Sequence, residues 1–116
     1  MGKAASSTHP DAEDLELTAV LFALSDPARL DLVRRLAAGP LDVADCQPSD
    51  GPIPKSTLSH HLKTLRLAGV VFNVPQGRQR QVRLRRDDLE RRFPGLLAAV
   101  LDPPASEGSG VSTPGR

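Results

Sequence analysis

The sequence has no tryptophan and no tyrosine, and its three phenylalanines make aromatics only 3% of the chain. Without such rings there is no stacking platform for the bases of single strands or RNA, and the core has to be built from Leu and Val. A single cysteine, Cys46, has no second cysteine with which to form an intramolecular disulfide. No apolar run approaches the roughly 18 residues of a membrane span, the longest being short pieces such as Leu96–Leu101. Met1–Pro10 lacks the apolar stretch of a signal peptide, so a cytoplasmic protein with no membrane partner is expected.

A chain of 116 residues, 39% hydrophobic and 25% charged, suits one domain and excludes most multi-domain enzymes. Residues 1–11 and 103–116 are small, polar or Pro/Gly-rich and are expected to be disordered tails around a domain at 12–102. The net charge of +1 conceals a strong asymmetry. Residues 1–52 carry four basic and nine acidic side chains (net −5), whereas residues 53–92 carry ten and three (+7). From Ile53 through Arg86 there is no carboxylate at all. Such a local excess attracts polyanions, because at physiological salt the field is felt over only about 8 Å.

Leu17, Val20, Leu21 and Leu24 recur at helical spacing and predict a helix over 13–24, with acidic residues in its first turn. Asp26-Pro27 reads as an N-cap followed by proline at the first helical position. The helix that follows has Leu30, Val33, Leu36 and Ala37 on one face and ends at Gly39-Pro40. A short third helix is expected at Leu41–Cys46 with Leu41, Val43 and Ala44 inward, then a loop rich in helix breakers. The firmest helix runs from Lys55 to Ala68, closed by Gly69. Beyond it the period changes to two: Val70–Val74 and Gln81–Arg85 form a hairpin around Gln76-Gly77-Arg78. Asp87 is placed to cap a last helix reaching Leu101, kinked or split at Pro94-Gly95.

The order α-α-α-α-β-β-α, mainly α with a β-hairpin, is that of a winged helix-turn-helix, whose third long helix fits the major groove while the hairpin reaches the flanking backbone. On a wheel of 100° per residue, Leu58, Leu62 and Leu65 fall within about 40° of one another and fix the buried side. Ser56, His60, Lys63 and Leu67 face outward with Thr57 and Ser59 at the edges. This arrangement offers donors to base edges and phosphates. His61 lies about 67° from the core centre on the same wheel and is read as packed and hydrogen-bonded. A solvated helix face is the bland alternative, but such faces usually carry several glutamates and this one has none.

Lys55-Ser56-Thr57-Leu58-Ser59-His60-His61-Leu62-Lys63-Thr64-Leu65-Arg66-Leu67-Ala68-Gly69-Val70, followed by Gln76-Gly77-Arg78-Gln79-Arg80-Gln81-Val82-Arg83-Leu84, resembles the recognition helix and wing of the ArsR/SmtB family of bacterial transcriptional regulators. Ala23–Leu30 resembles that family's approach to helix two. The resemblance implies a dimeric repressor that binds double-stranded DNA at a pseudo-palindromic operator and releases it on a signal. In the family's arsenic- and cadmium-type sensors a Cys-x-Cys lies on the short third helix; the matching positions here are Asp42 and Ala44. The zinc- and nickel-type site needs histidine on the last helix, and Asp87–Leu101 has none. No metal site and no cofactor is therefore expected, and any effector or co-regulator is left unnamed. Cys46 reads as a small buried hydrophobe.

Lys55, Ser56, Thr57, Ser59, His60, Lys63, Arg78 and Arg80 are accordingly the expected DNA-binding residues. Leu17, Leu21, Leu96, Leu97, Val100 and Leu101 present more aliphatic surface than one small domain buries, and a homodimer interface is assigned to them. The alternative is a winged-helix protein-interaction module or co-regulator whose basic strip binds an acidic protein. An enzyme is not expected: His60, His61, Ser59, Asp87 and Asp88 match no nucleophile, phosphate-loop or metal-hydrolase spacing.

Overall fold

The computed structural model describes residues 9–101; residues 1–8 and 102–116, which include most of both expected tails, lie outside that range. After a 3-10 turn at Ala12–Asp14 come α1 (Leu17–Leu24), α2 (Pro27–Leu36), β1 (Leu41–Asp42) and a second 3-10 turn, Val43–Asp45. Then follow α3 (Lys55–Leu67), β2 (Val71–Gln76), β3 (Gln79–Leu84), α4 (Arg86–Arg92) and α5 (Leu96–Leu101). The fold is a winged helix-turn-helix in which α2 and α3 form the helical pair and β2–β3 the wing. The sheet is antiparallel in the order β1-β3-β2. Gln76 pairs with Gln79, so a two-residue turn closes the wing, with Gly77 supplying the positive φ of 64° that a tight hairpin requires.

Several expected elements change. The short helix at 41–46 is instead strand and turn: Leu41 pairs with Val82 and Asp42 with Gln81. Between Pro40 and Pro48 there is too little chain to nucleate a stable helix, and β3 offers a free edge. Ala44, expected inward, is exposed. The first helix starts at Leu17, because Leu15 leaves helical geometry to become 1% exposed in the core. On α2 the buried aliphatic residues are Leu32, Val33 and Leu36, while Leu30 and Ala37 are only partly covered. Asp87 does not cap α4: Arg85 is the N-cap, and Asp87 and Asp88 sit in the first turn. The split expected at Pro94-Gly95 is present, with Glu90 accepting the Gly95 N–H.

The core is aliphatic throughout. Leu15, Val20, Val33, Leu65, Val70, Val71, Val82, Leu89 and Leu97 are almost wholly inaccessible, each contributing roughly 1.5–3 kcal/mol by burial. Where α3 ends, the Gly69 N–H donates to the Arg66 carbonyl and the Val70 N–H to that of Leu65, the paired bonds of a Schellman cap. Gly69 holds φ +85°, and a Cβ there would run into the Leu15 side chain. Gly69→Ala combines backbone strain with overpacking and is expected to cost about 2–4 kcal/mol of stability, measured as a lowered denaturant midpoint. An unchanged midpoint would show that Leu15 does not rest on this turn.

Candidate nucleic-acid interface

Helix α3 is held by its buried seam. Leu58, Leu62 and Leu65 are covered, whereas Lys55, Ser56, Thr57, Ser59, His60 and Lys63 are all exposed. Leu67 joins them at 53% exposure. The long loop before α3 is tied down by its own side chains. Gln47 accepts the Ile53 N–H through Oε1 and donates through Nε2 to the Ile53 carbonyl, closing the loop on itself. Ser49 donates to the Asp31 carboxylate, pinning the loop to α2. The loop from Gln47 to Pro54 is thereby compatible with a defined position for α3.

The wing comes to lie beside the first half of α3. Lys55, Ser59, Gln79 and Arg80 line one groove of about 520 Å³, floored by Leu58 and Leu62. Arg78 is exposed in the turn. Arg80 is engaged: its Nε donates to Asn73 Oδ1 and its Nη2 to the Asn73 carbonyl, both at 2.9 Å. That fork braces β2 against β3, a role the sequence pattern does not announce. At β2, the edge strand of the sheet, His9 accepts the Asn73 N–H through Nε2 at 3.0 Å, and its ring meets Phe72 edge-on. Residues 9–11, grouped with the tail from composition, thus begin the folded part. Burial lowers the His9 pKa, reinforced by the charges of Arg66, Arg85 and Arg80 and opposed by the Asn73 bond.

Sequence reasoning missed Arg29. It is 6% exposed, and its Nε donates to the Ala23 carbonyl at 2.7 Å and its Nη2 to that of Phe22 at 3.3 Å. These are carbonyls at the C-terminal end of α1. Its Nη1 lies 3.1 Å from His61 Nδ1 on α3. The same helix start carries Asp26, whose carboxylate accepts from the Ala28 and Arg29 N–H groups as the expected cap. Burial pushes the Asp26 pKa up, but those two bonds and the charges of His61 and Arg29 outweigh it and hold the carboxyl below its usual value.

On α1, Leu17 and Leu21 are 44% and 47% exposed, and Phe22, not anticipated, is 64% exposed. Leu96, Val100 and Leu101 are partly covered. Leu97 corrects the expectation: it is 2% exposed, already inside the core of a single chain, because it is the inward residue of the short α5. Cys46 is buried as a free thiol, and burial, aided by Asp45 and Asp42 and opposed by Arg35, pushes its pKa up to about 11. At neutral pH it is a thiol, not a nucleophilic thiolate.

An exposed, carboxylate-free helix face alongside a basic two-stranded ribbon defines a class: a DNA-binding, winged helix-turn-helix regulator of transcription. The sequence model for the bacterial regulatory protein, arsR family, matches residues 26–72, the segment from the α2 cap into the wing. The HTH-type transcriptional regulator YceK of Bacillus subtilis is 35% identical over 89 residues, covering 75% of this chain and 89% of its own length. The HTH-type transcriptional regulator Rv2034 of Mycobacterium tuberculosis is 36% identical over 93 residues, 74% of this chain and 86% of its own. Among solved structures, the transcriptional repressor BigR from Xylella fastidiosa superposes with a TM-score of 0.55 at 30% identity, over 72% of this chain and 84% of that one. The chain belongs to the ArsR family.

These relatives are transcriptional regulators rather than enzymes. Metal sensing of the thiolate kind does not fit the residues present. Asp42 lies in β1 and Ala44 in the following turn, where neither supplies sulfur. Among the described residues no three His, Cys, Asp or Glu side chains come together as a metal site, and no helix is long and apolar enough to cross a membrane.

Proposed function

We propose that the protein is a homodimeric repressor that reads a pseudo-palindromic operator with α3 and grips the flanking backbone with its wing. Its release signal would be something other than a metal bound at thiolate or imidazole sites. The supporting observation is that Lys55 and Ser59 of α3 share one groove with Arg80 of the wing, Asp42 of β1 also lining it, so that the edge of the donor-bearing face lies beside the ribbon. Ser56, Thr57, Ser59 and His60 are assigned to base edges and nearby phosphates, Lys55 and Lys63 mainly to phosphates, and Arg78 and Arg80 to the wing's contact. No side chain caps the first turn of α3, so its backbone N–H groups remain available to a phosphate. Repression is supported by the likeness to BigR, a transcriptional repressor. A twofold dimer through α1 and α5 would cover Leu17 and Leu21 and place two copies of α3 about 34 Å apart, one turn of DNA.

Selection of bound sequences from a random duplex pool tests this directly. The winning duplex is expected to bind at least about a thousandfold tighter than random duplex at physiological salt, and to contain two inverted half-sites. Equal affinity for both would favour the protein-interaction module, whose basic strip recognises acidic charge without reading bases.

A further inference from the structure

We propose that Arg29 and His61 are a positioning pair for the recognition helix, in which His61 must act as a neutral acceptor, so that sequence-specific DNA binding is weakened on acidification. The proposal rests on the reading of α3 as the recognition helix. Its geometry, however, stands apart from DNA. Arginine offers only N–H donors and stays protonated in proteins, so across the 3.1 Å between Arg29 Nη1 and His61 Nδ1 the histidine nitrogen has to accept. A histidine accepting through Nδ1 is neutral and carries its proton on Nε2. That nitrogen lies 4.0 Å from Asp26 Oδ1.

The bond closes a chain of contacts through the molecule. Arg29 holds the carbonyls of Phe22 and Ala23 at the end of α1, its own backbone N–H donates to the Asp26 cap in the first turn of α2, and its remaining arm reaches α3. The helix assigned to the dimer is thereby linked to the helix assigned to DNA through one buried guanidinium. Protonating His61 would set donor against donor and cation against cation, leaving Nη1 of a 6%-exposed arginine without its acceptor.

The groups facing His61 come from every neighbouring element. Asp26 and Arg29 approach from α2, and His60 precedes it on α3. Asp31 of α2 and Asp50 of the loop line the same surface groove. Burial, with the charges of Arg29 and His60, outweighs the pull of Asp26 and lowers the His61 pKa below 6.5. A histidine whose folded pKa lies below its unfolded value keeps its full contribution to stability above the unfolded pKa. That contribution falls as pH drops from there toward the folded pKa.

The test compares the duplex selected at pH 7.5 with random duplex, from pH 7.5 to 5.5. The wild-type preference for the selected duplex is expected to fall about tenfold on acidification, the equivalent of one charge-assisted hydrogen bond. His61→Asn supplies Oδ1 as a non-titrating acceptor and is expected to keep its preference level across the range. His61→Leu, with no acceptor, is expected to show the roughly tenfold lower preference at both ends. His60 is present in wild type and in His61→Asn alike, so the difference between their profiles belongs to His61. A His61→Asn profile that falls as wild type does, or a His61→Leu protein with wild-type preference at pH 7.5, overturns the proposal. Should His61→Leu fail to fold, the asparagine profile decides alone. Imidazole 15N shifts of the free protein give a DNA-independent answer: a proton on Nε2 is expected, and one on Nδ1 sinks the pair. If the pool yields no winning sequence, the recognition reading fails and the proposed weakening of DNA binding fails with it, while the nitrogen shifts still decide the bond.

Discussion

Replacing Leu21 by glutamate is expected to convert the protein to a monomer and to lower its affinity for the selected two-half-site duplex by about a hundredfold or more, with the fold intact. Leu21 is 47% exposed on α1, so the monomer loses little packing. Leu17 stands one turn before it and the 64%-exposed Phe22 beside it, making an apolar ridge. In a twofold interface the new carboxylate occurs twice, near its own copy, and is withdrawn from water without a partner. Once separated, each protomer binds a half-site alone and loses the effective concentration, of order millimolar, that a tethered second site provides. Sedimentation gives the oligomeric state, a duplex titration the affinity and a thermal melt the fold. A dimer that survives with wild-type affinity would move the interface away from α1.

What the sequence made legible was governed by local rules. The Asp26-Pro27 cap, the Leu58–Leu62–Leu65 seam and the Gly69 stop each follow from spacing and backbone preference within a few residues, and each appears in the structure. Short elements were not legible, because tertiary partners decide them: Leu41-Asp42 becomes strand only because β3 is there to pair with it. Leu97 illustrates the same limit, since periodicity marks it as apolar but cannot tell which surface will cover it.

The charge count misled in a more instructive way. Of the ten basic residues in 53–92, Arg85 and Arg91 bind Asp88. Arg86 donates to the Ala37 carbonyl and Arg92 to that of Leu15. Arg86 and Arg92 thus tie α4 to the rest of the fold while Arg85 and Arg91 pair within α4, so the positive field assigned to DNA rests on fewer side chains than a count of basic residues suggests. Arg29 is the converse case: one of only four basic residues in an acidic stretch, invisible to any charge average, yet the buried centre of the helical contacts.

Arg78 and His60 are expected to fail in different ways when replaced by alanine. Arg78 sits in the two-residue turn at the wing's end, exposed, where a guanidinium meets phosphate or minor groove without reading bases. Arg78→Ala should therefore weaken selected and random duplex alike by about three- to tenfold and flatten the slope of log affinity against log salt by about one. His60 is exposed on the outer side of α3, opposite the leucine seam, where an imidazole is placed to read a base edge. His60→Ala should leave the slope and the random-duplex affinity nearly unchanged while lowering the preference for the selected duplex by about tenfold. Arg80 supplies the control between them. Because its Nε and Nη2 are bound to Asn73, Arg80→Lys retains charge but loses the fork, so a deficit in that variant reports the loss of guanidinium geometry at unchanged net charge. Arg78→Ala and His60→Ala proteins with identical losses on both duplexes would remove the division of labour between helix and wing.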